Sequence, residues 1–144
     1  MNELTTSGTP DYLSLLRLEG RGFVVLGAGQ GIGEQAAYAL AQAGARLLCV
    51  DRDEALAARI AQAVGGVPCV ADVTSRADMQ RIFDTARQQF GRVHGMVDII
   101  GVAGVKALSA VDDESWGQQF DIVLRHAFLA IQIGGEMMAA DGEI

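Results

Sequence analysis

Three glycines, Gly27, Gly31 and Gly33, stand in the spacing Gly-x-x-x-Gly-x-Gly within the heptapeptide Gly27-Ala28-Gly29-Gln30-Gly31-Ile32-Gly33. An anion can approach a polypeptide backbone closely only where side chains are missing. A helix that starts near Gly31 adds unpaired N–H groups and the positive end of its dipole. Together these features describe a cradle for a pyrophosphate. A carboxylate, Asp51, follows 18 residues after Gly33. At the end of a second strand it is placed to accept hydrogen bonds from both hydroxyls of an adenosine ribose. The combination points to a dinucleotide, with Gly27, Gln30, Gly31, Ile32 and Gly33 around the pyrophosphate and nearby ribose. A carboxylate repels a 2′-phosphate, and Gln30 offers no cation to one, so NAD(H) is expected over NADP(H). Arg52 is the counterweight, because its guanidinium is able to turn toward a phosphate.

Other reactive side chains form no comparable set. His94 and His126 are the two histidines. His94 opens a strand, and His126 falls on a long helical stretch where a surface or interface role is expected. Ser109 and Ser115 have no basic partner nearby and read as loop and cap residues. Cys49 and Cys69 each sit in a short apolar run and read as reduced, buried small hydrophobes. No His, Cys and carboxylate set has metal-ligand spacing. The chain of 144 residues, half hydrophobic and one-fifth charged, suffices for one domain with a core. Its net charge of −7 argues against nucleic acid or an anionic membrane as partner. No apolar stretch approaches the roughly 20 residues that span a bilayer. The polar start, residues 1–11, has no secretory pattern, so the cytoplasm is the expected setting.

Strand-like and helix-like stretches alternate. Residues 23–26, 46–50, 67–71 and 93–100 are short apolar runs. Residues 34–43, 54–64, about 75–90 and about 112–139 read as helices. Leu56, Ile60 and Val64 share one face of the second helix, and Met79, Ile82, Phe83 and Ala86 share one face of the third. Trp116, Phe120, Val123, Leu124, Phe128 and Ile131 are the expected buried side of the last. Pro68 suits an edge strand. The order β-α-β-α-β-α-β-α calls for an α/β fold, a Rossmann-type doubly wound parallel sheet of about four strands with right-handed crossovers. Residues 1–17 form an N-terminal extension, and 18–144 form the dinucleotide-binding domain.

The glycine spacing ending in Gly-Ile-Gly resembles that of the short-chain dehydrogenase/reductase family. Leu18-Glu19-Gly20, Ala71-Asp72-Val73-Thr74, Phe90-Gly91-Arg92-Val93, Asp113-Glu114-Ser115-Trp116 and Met137-Met138 are similar to other stretches of that family. The resemblance implies an oxidoreductase that moves a hydride between NAD(H) and a carbonyl/alcohol substrate. It implies that Asp72 and Val73 serve the adenine, and that Ile99 and Gly101 flank the adenosine ribose. A homo-oligomer is expected as well. Departures also stand out. Leu26 occupies a usual Thr position. The family's Asn-Asn-Ala-Gly reads Asp98-Ile99-Ile100-Gly101, and an Asn that holds a proton-relay water aligns with Val123. The resemblance places the catalytic Ser and Tyr-x-x-x-Lys beyond Ile144, so the chain is expected to be a truncated, cofactor-binding portion in which no catalytic residue can be named. The alternative is a non-catalytic NAD(H)-binding or interaction protein derived from the same fold.

Overall fold

The computed structural model describes residues 11–102 and 104–142; the first ten residues of the expected extension, one residue of the 101–109 loop and the last two of the chain lie outside them. Strand β1 (Gly22–Leu26) leads into helix α1 (Gly31–Gln42), followed by β2 (Arg46–Asp51), α2 (Glu54–Val64), β3 (Val67–Val70), α3 (Arg76–Phe90) and β4 (Gly95–Asp98). Helix α4 (Asp113–Phe120), a π-helical stretch (Asp121–Arg125) and helix α5 (His126–Ala140) then follow without a break.

The four strands pair in parallel in the order β3-β2-β1-β4, with Leu26 opposite both Val50 and Asp98. The Rossmann-type arrangement expected from the sequence is therefore present. The chain runs outward from β1 to β3, then returns to the other side of β1. The carboxyl ends of β1 and β4 thus diverge at the position where such sheets open a crevice. Pro68 lies on edge strand β3, where its missing N–H costs no ladder bond.

Alternation along the strands divides the core in two, because successive side chains point to opposite faces. Val24, Leu26, Leu48 and Val50 meet Met79, Ile82, Phe83 and Ala86 of α3 and Leu129, Ala130 and Ile133 of α5. Val25, Leu47 and Cys49 face Ala37 of α1 and Ile60 and Ala61 of α2. Both cysteines are buried free thiols, and burial pushes the Cys49 thiol up to about 11. Helix starts are capped where the chain supplies a side-chain acceptor. Asp53 accepts from the Leu56 amide, Ser75 from Asp78, and Asp112 from Ser115 in a reciprocal capping box.

Three expectations need correction. Strand β4 is shorter than 93–100, although the His94 amide still donates to Gly22 O and the Ile99 amide to Leu26 O. The expected buried side of the last helical run is exposed: Trp116, Phe120, Val123, Leu124, Phe128 and Ile131 all face outward. The buried side consists of His126, Leu129, Ala130, Ile133, Gly134 and Met138. Small residues are needed there, because a Cβ at Gly134 would run into the ring of Phe83 on α3. Lastly, His126 is a core residue at 3% exposure, not a surface one. The run Asp113–Ala140 is also long and apolar enough, by length and composition alone, to cross a membrane. Its α5 portion is instead the core helix just described, laid against α3.

The α3–α5 contact sets up a paired test. Gly134→Ala forces a methyl group into Phe83 and is expected to destabilise the fold by about 1–3 kcal/mol in urea unfolding. Gly135→Ala enters open space and is expected to be neutral or to stabilise by up to about 1 kcal/mol, since Ala is the better helix former. Equal effects at the two positions would contradict this packing.

Candidate functional site

The turn between β1 and α1 is built from contacts that tolerate no side chain. Gly27 has φ +79°, a conformation that disfavours any residue with a Cβ. It swings the chain so that the amides of Gly27 and Ala28 both donate to Val50 O at 2.9 Å. A Cβ on Gly33 would overlap the carbonyl oxygen of Gly27, so α1 can begin this close to β1 only with glycine there. Gly31 also has a positive φ, +61°, with nothing near the place of a Cβ. Gly29 lies against Asp51, whose Oδ2 accepts the Gly29 amide at 3.0 Å while Oδ1 accepts the Asp53 amide at 3.0 Å. Asp51 therefore ties the end of β2 to the glycine turn.

Helix α1 differs from α2, α3 and α4 at its start. Its N-cap residue, Gln30, makes no side-chain capping bond. The first-turn amides are left for another acceptor. Glu34 in that turn pairs with Arg59 of α2 at 2.8 Å, and the second arm of the same guanidinium donates to Gly29 O at 2.7 Å.

A groove of about 430 Å³ opens at the carboxyl ends of the strands, a size typical of small-molecule sites. Gly27, Gln30, Ile32, Gly33, Asp51, Arg52, Asp72, Val73, Ile99 and Gly101 all line it. Of the residues singled out from sequence, Gly31 alone is absent from the wall. Sequence reasoning assigned no site role to Ala71, Ile100, Val102 and Ile122, which line it too. Ala71 could have been taken together with the adjacent Asp72. Ile122 carries no local signal, because it enters through the π-helical stretch, and neither Arg59 nor Glu34 belongs to any motif.

The side walls are held by hydrogen bonds. Asp72 Oδ1 accepts from the Thr74 amide at 2.9 Å and hydroxyl at 2.7 Å, while the Asp72 amide donates to Asp78 Oδ2 at 2.8 Å. Arg81 beside Asp78, with that amide, holds the Asp78 carboxyl below its usual range. Opposite, Asp98 Oδ1 accepts the Ile100 amide at 3.1 Å and faces His126 Nε2 at 3.2 Å, while His126 Nδ1 is buried without a partner. The imidazole of α5 thus fixes the turn that presents Ile99 to Gly101. His94 does comparable structural work at the other end of the sheet, where its Nδ1 accepts the Gly22 amide at 3.1 Å.

The groove combines unpaired helix-start amides, two carboxylates at strand ends and apolar walls. Such a site suits a ligand with an anionic centre and a hydroxylated arm. Among the described residues, no three His, Cys, Asp or Glu side chains gather as a metal site.

Comparison with known proteins agrees with this geometry. A family model described as Enoyl-(Acyl carrier protein) reductase matches residues 27–144. Galactitol 2-dehydrogenase (L-tagatose-forming) of Cereibacter sphaeroides is 34% identical over 135 residues, covering 92% of this chain and 53% of the relative. The structure of 7α-hydroxysteroid dehydrogenase complexed with NADH and 7-oxo glycochenodeoxycholic acid superposes with a TM-score of 0.83 at 27% identity, covering 90% of this chain and 52% of that one. The 3-ketoacyl-(acyl-carrier-protein) reductase of Brucella melitensis complexed with NADH gives 0.82 at 28% identity, covering 87% and 53%. The chain spans about half the length of the curated relatives it matches. With the family model matching most of the chain, and the parallel sheet with its alternating helices matching the solved structures, the chain belongs to the short-chain dehydrogenase/reductase family.

Proposed function

We propose that residues 18–144 are the NAD(H)-binding unit of an oxidoreductase that transfers a hydride between the nicotinamide cofactor and a small carbonyl or alcohol. The observation that carries this reading is the uncapped start of α1 facing a groove that Asp51 also lines. The amides of Gly31, Ile32 and Gly33, with the helix dipole, hold the diphosphate. Gly27 keeps the turn tight, and Gln30 covers the nearby ribose. Both Asp51 oxygens already accept one amide each and retain lone pairs for ribose hydroxyls. Arg52 lies beside that ribose, Asp72 and Val73 hold the adenine, and Ile99 and Gly101 flank the adenosine ribose. When bound, the nicotinamide supplies the hydride chemistry; the residues of this chain bind and orient it. The buried, reduced cysteines are in keeping with a cytoplasmic setting.

The exposed ridge from Trp116 to Ile131 supports self-association. Six large apolar side chains there face outward, with the Trp116 and Phe120 rings 4.9 Å apart. Contiguous exposed apolar surface favours association. A second reading, a non-catalytic NAD(H)-binding protein, draws support from half-exposed Val123, which offers no hydrogen-bonding group, and from the loss of amide side chains in Asp98-Ile99-Ile100. A turnover assay on the protein encoded by its complete reading frame separates the two, because hydride transfer rules out the second.

By titration calorimetry, NADH is expected to bind more tightly than NADPH. Asp51→Asn is expected to weaken NADH about tenfold, the worth of one charge-assisted hydrogen bond, and to narrow the gap to NADPH. Tighter NADPH binding by the unaltered chain would reverse the cofactor choice. Light scattering is expected to show association that Phe128→Glu reduces; a stable monomer at all concentrations would contradict the ridge as an interface.

A further inference from the structure

Arg59 has no place in the groove wall, yet it makes two bonds to the elements that form the cradle. Its Nη2 donates to Gly29 O at 2.7 Å, and its Nη1 meets Glu34 Oε1 at 2.8 Å. The guanidinium fork spans the glycine turn and the first turn of α1 from a third element, α2. We propose that Arg59 is a positioning residue that aims the glycine-turn amides at the diphosphate of a bound dinucleotide; this rests on the dinucleotide reading above.

Arg59 acts on the Gly29–Gln30 peptide through the Gly29 carbonyl. Without a Cβ at residue 29, this peptide plane has little to stop it turning. A planar trans peptide points its C=O and N–H in opposite directions. Arg59 draws the Gly29 carbonyl toward α2, so the Gln30 N–H must point away from α2. Gln30 is a wall residue of the groove. On the other side of Gly29, Asp51 Oδ2 fixes the preceding amide at 3.0 Å. The two charged partners, one on each adjoining peptide, hold both planes before any ligand arrives, which removes an ordering cost from binding.

Glu34 completes the device. A carboxylate in the first turn of α1 complements the helix dipole but would oppose an anion held there. Its side chain is mostly covered, and Arg59 neutralises it in place. The Glu34 hydrogen bond and charge in turn raise the Arg59 pKa further, which keeps the fork fully charged. Neutralising Glu34 and pinning Gly29 are separable contributions, and only the second is positioning.

The test compares the unaltered chain with Arg59→Met, Arg59→Lys, Glu34→Gln and the Glu34→Gln/Arg59→Met double variant. Calorimetry follows NADH and ADP, and NMR shifts follow adenosine, which has no diphosphate. Arg59→Met is expected to lose about 5- to 30-fold for NADH and ADP and to leave adenosine unchanged. The double variant, which also removes the Glu34 charge, is expected to keep a loss of about threefold or more, and Glu34→Gln alone to bind like the parent. Arg59→Lys keeps the charge but cannot span both acceptors, so a loss of about threefold or more is expected; it also serves if the Met variant fails to fold. Parent-like ADP affinity in Arg59→Lys or Arg59→Met overturns the proposal. So does restored affinity in the double variant, which would reduce Arg59 to neutralising Glu34, or an equal loss for adenosine, which would mark a general structural role. If the unaltered chain binds neither NADH nor ADP, the dinucleotide reading itself falls, and this inference with it.

Discussion

Helix α1 starts against the carbonyl of Gly27, and only a residue without a Cβ fits at position 33. That contact places the first N–H groups of α1 directly beyond the end of β1. It also forces the sharp crossing at Gly27, where two successive amides take the Val50 carbonyl at the end of β2. The neighbouring strand supplies Asp51 at the same level, and Asp51 in turn secures Gly29. The geometry of the groove therefore follows from one close approach between a helix and a strand.

Much of this was legible in the sequence because the signals are local. Hydrophobic runs bounded by glycine mark strands in any context, and the spacing of Met79, Ile82, Phe83 and Ala86 is that of a single helical face. All four are fully buried. Residues 54–64 were readable to the residue, because Asp53 caps one end and Gly65 closes the other. The groove residues were legible for a related reason. In a parallel sheet the loops after the strands gather at one end, so knowing where strands stop is enough to know what converges.

The misreadings all lie where tertiary contact decides. Helix α5 is apolar on nearly every side, so periodicity cannot select its inner face. Large side chains such as Phe128 and Ile131 suggest the wrong one, whereas the space beside Phe83 demands Gly134. The π-helical stretch Asp121–Arg125 compounds this, because one extra residue in a turn rotates the following face by about 100°. His126 could be placed only by seeing Asp98, 28 positions earlier in the chain, opposite its Nε2. Arg59 shows the same limitation, since its acceptors Gly29 and Glu34 belong to other elements.

The bare amides at the start of α1 are proposed to bind a diphosphate. Backbone NMR tests this most directly, with the amide signals of Gly31, Ile32 and Gly33 followed while ADP and then adenosine are added. The expected result is large shifts of these three amides with ADP and small ones with adenosine. Saturable ADP binding that leaves them unmoved and perturbs another surface would contradict the account.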